Sequence, residues 1–256
     1  MYSFYFEDPK EPIEREFNNV RLKYLYFESE LKFKTSRNEV LNGSLLEGKA
    51  VLTFDKVKIN LNQFDIFFIP PEKEFNFKPI TKNRNKICLV FSFSVKHVDA
   101  EFEIHRFNLN NFVPRGELGS EQKMTTYRTV WTAIKNSFFI SGFTNIPNES
   151  LKQGVLTSVN LEEKQIYSHV HPDFPEVYIY CIDDQHYAVT QYLIDSKGQS
   201  VCKDLTNGEG VFFPGSLGHI NFSKPFYHDL RYCLYLWIIP KFGKEEDIEP
   251  ITLRIS

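Results

Sequence analysis

Strand-length apolar runs, each stopped by glycine, proline or a polar cluster, recur along almost the whole chain, and that punctuation admits little besides antiparallel β-structure. In the first half they read Ala50-Val-Leu-Thr-Phe54, Val57-Lys-Ile-Asn-Leu61, Phe64-Asp-Ile-Phe-Phe-Ile69 and Ile87-Cys-Leu-Val-Phe-Ser-Phe93. Gly43, Gly48, Pro70-Pro71, Pro79 and the polar stretch 82–86 fall between them, where strands would turn. A second series holds Gly154–Val159, Glu176–Tyr180, Tyr187–Tyr192, Val211–Phe213 and Tyr232–Ile239, with turn residues at Asp183-Asp184, Ser196–Gly198 and Asn207–Gly210. The apolar volume agrees: 25 Phe, 13 Tyr and 2 Trp against 2 Met supply rings and branched chains, which suit a pleated surface. The best helix candidate, Thr125–Lys135, carries too many β-branched residues to be favoured. The expected fold is all-β.

The 256 residues divide most simply into two barrels or sandwiches, 1–115 and 116–256, joined through the polar, turn-rich Asn108–Lys123. Asn62–Pro70 and Asn207–Pro214 both run from a turn through an apolar strand into proline, a weak echo in keeping with two copies of one barrel. A net charge of -3 provides no basic field for a phosphate backbone, so nucleic acid is not an expected partner. The longest apolar stretch, Cys233–Ile239, is far short of the ~20 residues that a membrane helix needs. Met1–Pro12 is acidic and lacks a basic segment leading into an apolar one, so the expected address is the cytoplasm. Cys88, Cys181, Cys202 and Cys233 stand singly and are expected to be buried thiols.

Chemistry concentrates in Tyr167-Ser-His-Val-His-Pro-Asp-Phe-Pro-Glu-Val-Tyr-Ile-Tyr180. His169 and His171, two apart, would share one face of a strand. Pro172 and Pro175 force a bend, after which Glu176 opens the next strand with Tyr178 and Tyr180 on its own side. His219 follows in a glycine-rich run, on a strand expected to lie beside those two. Two histidines near a turn are commonly surface residues. The added carboxylate, the proline-bounded bend and the third imidazole turn the balance toward a metal site of His169, His171, Glu176 and His219. Imidazole and carboxylate suit Zn, Fe, Mn, Ni or Co and do not choose among them. His97 and His105 have no companions at ligand spacing, so the first half is expected to hold no metal.

The pattern HxHxxxxE, followed by Gly208, Pro214 and His219, resembles the two metal motifs of cupins, which are small jelly-roll β-barrels; two in tandem would make a bicupin. Within cupins, Tyr127–Trp131, Ser150–Thr157 and His169–Tyr180 look like the 5-keto-4-deoxyuronate isomerase and 5-deoxy-glucuronate isomerase family, mainly over the C-terminal half. The resemblance implies zinc on His169, His171, Glu176 and His219, a sugar-acid substrate and a homo-oligomer, with a hexamer as one such assembly. The chain departs from the family at Gln165–Ser168, at Pro214–Gly218 and at Tyr192–Asp195, which touches substrate choice more than metal binding.

Aldose–ketose interconversion moves a proton between adjacent carbons while a divalent cation polarises the carbonyl. Tyr178, Tyr180 or a bound water are the candidates to carry the proton, although barrel-filling is the plainer role for either tyrosine. A uronate carboxylate would need a cation, for which Arg128 is preferred over Arg231, a structural ion pair being the competing role for Arg128. Of His186 and Gln191, an odd number apart, at most one faces inward. Lys244–Asp247 reads as a solvated loop. Two further functions use the same ligands: an iron-dependent cupin dioxygenase, and a metal-containing cupin that binds a sugar without converting it.

Overall fold

The computed structural model describes residues 4–80, 84–93, 100–114, 128–153, 159–160, 165–245 and 251–254. The strands of the first half are β1 (Phe4–Phe6), β2 (Ile13–Phe17), β3 (Val20–Phe27), β4 (Leu31–Lys34), β5 (Glu39–Glu47), β6 (Ala50–Phe54), β7 (Val57–Leu61), β8 (Ile66–Ile69), β9 (Glu74–Pro79), β10 (Asn85–Phe93) and β11 (Glu103–His105). Those of the second are β12 (Val113–Pro114), β13 (Thr129–Lys135), β14 (Phe139–Asn145), β15 (Val159–Asn160), β16 (Gln165–Val170), β17 (Glu176–Ile182), β18 (Val189–Ile194), β19 (Ser200–Leu205), β20 (Gly210–Phe213), β21 (Gly218–Ser223), β22 (Cys233–Pro240) and β23 (Ile251–Arg254).

They form four antiparallel sheets. In the first half a six-stranded sheet, β11-β8-β5-β10-β3-β2, faces a four-stranded one, β4-β9-β6-β7. In the second a seven-stranded sheet, β1-β20-β17-β22-β14-β13-β12, faces β15-β16-β21-β18-β19, with β23 also pairing with β16. The six- and seven-stranded sheets stack back to back, and this explains the continuous apolar runs. In β10, Ile87, Leu89 and Phe91 fill the first barrel while Cys88 and Val90 face the middle layer. In β17, Tyr178, Tyr180 and Ile182 fill the second barrel while Val177, Ile179 and Cys181 face that same middle layer. A strand buried on both faces loses the polar/apolar alternation of a half-solvated sheet. Polar contacts cross the layer too, among them Asn42 Nδ2 donating to Ser141 Oγ at 2.9 Å and the Tyr24 hydroxyl donating to the Gly208 carbonyl at 2.8 Å.

Thr129–Lys135, in the segment that the sequence did not favour as a helix, is strand β13 in keeping with that reading, because Thr129, Val130, Thr132 and Ile134 are stiff at χ1 and pack better on a sheet. Other expectations meet the structure differently. A short helix, Asn148–Gln153, has no counterpart in the sequence reading. Cys88, Cys181 and Cys233 are buried, but Cys202 is exposed on the edge strand β19, whose outer residues reach solvent. The linker Asn108–Lys123 holds a turn of 3-10 helix at Leu109–Asn111 and strand β12, and its residues 115–123 lie outside the described residues. Residues 154–158 of the Gly154–Val159 run, Tyr127 and His97 also lie outside them. No helix among the described residues is long and apolar enough to cross a membrane.

Because the middle layer belongs to both halves, truncating it should weaken both together. Ile179→Ala, at a fully buried position, is expected to cost ~3 kcal/mol and to shift a single urea transition. Two separated transitions, only one of them moved, would count against a shared core.

Candidate metal centre

The four residues picked out by spacing converge inside the second barrel, from two sheets rather than one. His169 on β16 pairs directly with His219 on β21, so these two imidazoles are cross-strand neighbours with ring centroids 4.0 Å apart. His171 lies just past the end of β16, in the turn closed by the Phe174 N–H donating to the His171 carbonyl at 2.8 Å. The bend at Pro172–Pro175 then carries the chain across the barrel, so Glu176 opens β17 in the facing, seven-stranded sheet. The strand of His219 therefore lies beside that of His169 but not beside that of Glu176, a correction to the expected arrangement. Two prolines so close together fix the backbone and withhold ladder donors, which favours leaving the sheet over hairpin pairing.

One ligand nitrogen from each of His169, His171 and His219 falls within 4.8 Å of the others. His171 Nε2 stands 3.0 Å from Glu176 Oε1, and His219 Nε2 stands 3.6 Å from the same oxygen. Atoms bound at ~2.1 Å to one ion are separated by roughly 3.0–3.5 Å, close to both of these spacings. Glu176 is 0% exposed, yet neither of its oxygens has a hydrogen-bond partner, nor does His219 Nε2. Orphaned acceptors deep in an apolar interior are costly unless a ligand satisfies them. The His219 Nδ1 contact of 3.5 Å with the Leu217 carbonyl turns Nε2 toward the common point, as outer partners of ligating imidazoles do. These residues fit a divalent cation.

Electrostatics agree. Burial holds His171 down at about 4. Burial, the neighbouring imidazoles and the Arg128 charge keep His169 well below the usual histidine range, and burial with His171 does the same to His219. Burial pushes the Glu176 carboxyl up to about 8, against the opposing influence of the Tyr178 hydroxyl. Three neutral imidazoles present lone pairs, and a carboxyl held protonated by burial would ionise once a cation sits beside it.

Rings wall the centre. Tyr178 and Phe213 lie 5.6 Å and 5.0 Å from the His219 ring, and Tyr235 is 5.4 Å from Tyr178. Tyr180 is also interior, but its hydroxyl donates to Gln191 Oε1 at 2.8 Å and accepts from Asn221 Nδ2 at 3.3 Å. Arg128 reaches the Tyr235 hydroxyl at 3.5 Å, keeps a buried Nε without a partner, and has no carboxylate partner among the described residues. Arg231, by contrast, points outward with its side chain 79% exposed and grips Asp183, so it does not serve the site. Gln191 is buried and His186 exposed. Lys244 pairs with Asp173 over the Phe174 ring, bracing the outside of the His171 turn.

Tyr235, Asn221 and Gly215 were not singled out by the sequence reading. Tyr235 hides in the run Tyr232–Ile239, although period-two counting back from Trp237 places it on the inner face. Gly215 lies so close to the His171 turn that a Cβ there would sit 2.0 Å from the His171 carbonyl oxygen and 2.3 Å from that of Phe174. Gly215→Ala should therefore displace His171 and weaken metal binding at least ~10-fold, measured by competition with a chromogenic chelator; unchanged affinity would contradict it.

Protonation gives a second expectation. Glu176 is about 8 in the metal-free fold and 4.5 in an ordinary setting. The folded chain thus keeps a proton that the unfolded chain sheds, and its metal-free stability falls as pH rises through that window. Binding of Co2+ should release roughly 1 proton at pH 6.5 and roughly 0.25 at pH 8.5, read by calorimetry in buffers of different ionisation enthalpy. No release at pH 6.5 would contradict a protonated Glu176.

No family model and no curated protein matches the sequence. Solved structures do match the fold. An IolB-like protein from Salmonella typhimurium superposes with a TM-score of 0.60 at 9% identity over 92% of this chain and 87% of its own. A cupin 2 conserved barrel domain protein from Leptotrichia buccalis gives 0.52 at 10% identity, over 92% of each chain. A single-site variant of the oxalate decarboxylase of B. subtilis gives 0.53 at 12% identity, over 98% of this chain and 79% of that one. The chain is all-β and folds as two tandem barrels of the cupin, jelly-roll type.

Proposed function

We propose that the protein is a metal-dependent isomerase that interconverts the aldose and ketose forms of a sugar acid. The observation that carries this reading is the convergence of His169, His171, His219 and Glu176, with orphaned ligand atoms, on one point inside a ring-lined barrel. A divalent cation held there, for which zinc is the proposed occupant with iron, manganese or nickel as substitutes, supplies Lewis acidity at a carbonyl oxygen.

The remaining roles fall to the chain's own side chains. Arg128 is the cation for the substrate carboxylate, since its own charge is not met by an acidic partner among the described residues. Tyr178 borders both Glu176 and His219, and its hydroxyl is the group proposed to pass the proton between neighbouring carbons. Phe213, Tyr235 and Tyr178 exclude bulk water, which protects an enediol and strengthens the charge interactions around it. Among the proteins that share the fold, an oxalate decarboxylase is an enzyme, which is consistent with enzymatic use of such a barrel.

Metal-replete protein incubated with 5-keto-4-deoxyuronate or 5-deoxy-glucuronate should convert one of them, followed by proton NMR, with His171→Ala and chelated protein at least ~100-fold slower. Arg128→Gln should raise KM about 10-fold with a smaller effect on kcat, as loss of one charge-assisted contact to a remote carboxylate requires. Metal-replete protein that leaves both sugars unchanged would overturn the reading.

A further inference from the structure

The metal ligands belong to two facing sheets, so their spacing depends on whatever holds those sheets apart. Glu176 lies on the seven-stranded sheet, whereas His169, His171 and His219 belong to the other or to its end. Van der Waals packing of rings sets such a gap loosely, while a hydrogen bond of fixed length sets it sharply. Two hydroxyl groups span it. Tyr5 on β1 donates to the Gln191 carbonyl on β18 at 3.0 Å. Tyr180 on β17 donates to the Gln191 side-chain carbonyl at 2.8 Å. Gln191 Nε2 in turn donates to the Ile220 carbonyl on β21 at 3.1 Å, one residue from His219.

The far end of each tie leads to a ligand. β1 pairs with β20, and β20 pairs with β17 in a register that sets Glu176 opposite Phe213. β18 pairs with β21 in a register that sets Leu193 opposite His219. β1 is itself anchored. Phe6 is buried in the middle layer, against Gly210, where a Cβ would lie 2.5 Å from its ring. Asp8 accepts from Lys86 at 2.8 Å and from the Tyr26 hydroxyl at 3.0 Å, both in the first half of the chain. Gly208, at φ +85, leaves the space that Asp8 fills.

We infer that Tyr5 and Tyr180, acting through Gln191, are positioning residues that set the distance between Glu176 and the three histidines and so tune the affinity of the metal centre. The N-terminal strand is in this sense part of the second barrel's wall. The inference rests on the metal reading of the site and is independent of which substrate the barrel takes.

The test uses full-length protein and Co2+ as the probe. Tyr5→Phe and Tyr180→Phe remove one hydroxyl each and keep the ring. Tyr187→Phe is the control, because its hydroxyl makes a bond of the same kind, 2.8 Å to the Lys224 carbonyl, without reaching the seven-stranded sheet. Tyr5→Phe and Tyr180→Phe should each raise the Co2+ dissociation constant about 10-fold and change the visible ligand-field spectrum of the bound ion. Tyr187→Phe should leave both as in the wild type, even where its Tm falls as far. Equal affinity and an unchanged spectrum in the first two variants, or an equal loss in the control, would overturn the inference while leaving the metal centre standing. A wild type that binds no Co2+ would overturn both.

Discussion

A carboxyl group without exposed surface, whose oxygens lack a well-formed hydrogen bond and are eased only by the nearby Tyr178 hydroxyl, is the polar group on which the second barrel's interior depends. Burial alone would keep Glu176 protonated and its three imidazole neighbours neutral, a set that gains nothing from its own proximity. A divalent cation reverses the account: lone pairs and a carboxylate that are liabilities in a dry interior become its ligands. The surrounding rings, Tyr178, Phe213 and Tyr235, sharpen the contrast by removing water as an alternative partner. The same low-dielectric wall that makes the empty arrangement unfavourable makes a bound ion a strong electrophile.

What lets one chain hold that arrangement is the back-to-back stacking of its two barrels. The six- and seven-stranded sheets bury their outer faces on each other through Cys88, Val90, Val177, Ile179, Leu234 and Leu236. The first barrel is filled by Phe67, Phe75, Phe77 and Phe91, whereas the second sets polar groups (Gln191, Asn221, His171, His219 and Glu176) among its apolar and aromatic side chains. The crossing at Pro172–Pro175 spreads the ligands over two sheets. That gives the centre a three-dimensional cage and makes its geometry depend on inter-sheet spacing.

Much of this was legible in residue order. Runs such as Ala50–Phe54 and Val57–Leu61 coincide with β6 and β7, because glycine and turn residues bound them sharply. His169, His171, Glu176 and His219 stood out because metal-ligating chemistry needs those residue types at period-two spacing around a bend. Sheet membership was not legible. Nothing in Phe4–Phe6 says that it will pair with Gly210–Phe212, since local pattern records a strand's faces but not its neighbours. Exposure at an edge was equally hidden: Cys202 reads as one more apolar residue until β19 is known to be the last strand of its sheet. Arg128 and Arg231 could be ranked from sequence only by company kept; the structure separates them by burial and by the Asp183 that claims Arg231. Tyr235 was lost in a run whose members turn alternately to the barrel interior (Cys233, Tyr235, Trp237) and to the middle layer (Leu234, Leu236, Ile238), because burial on both sides erases the polar/apolar alternation that would have marked it.

The central claim is that one cation belongs inside the second barrel, and elemental analysis tests it most directly. Protein purified without added metal, compared with His171→Ala prepared in parallel, should carry close to one transition-metal ion per chain in the wild type and almost none in the variant. Equal, sub-stoichiometric metal in both would contradict the account.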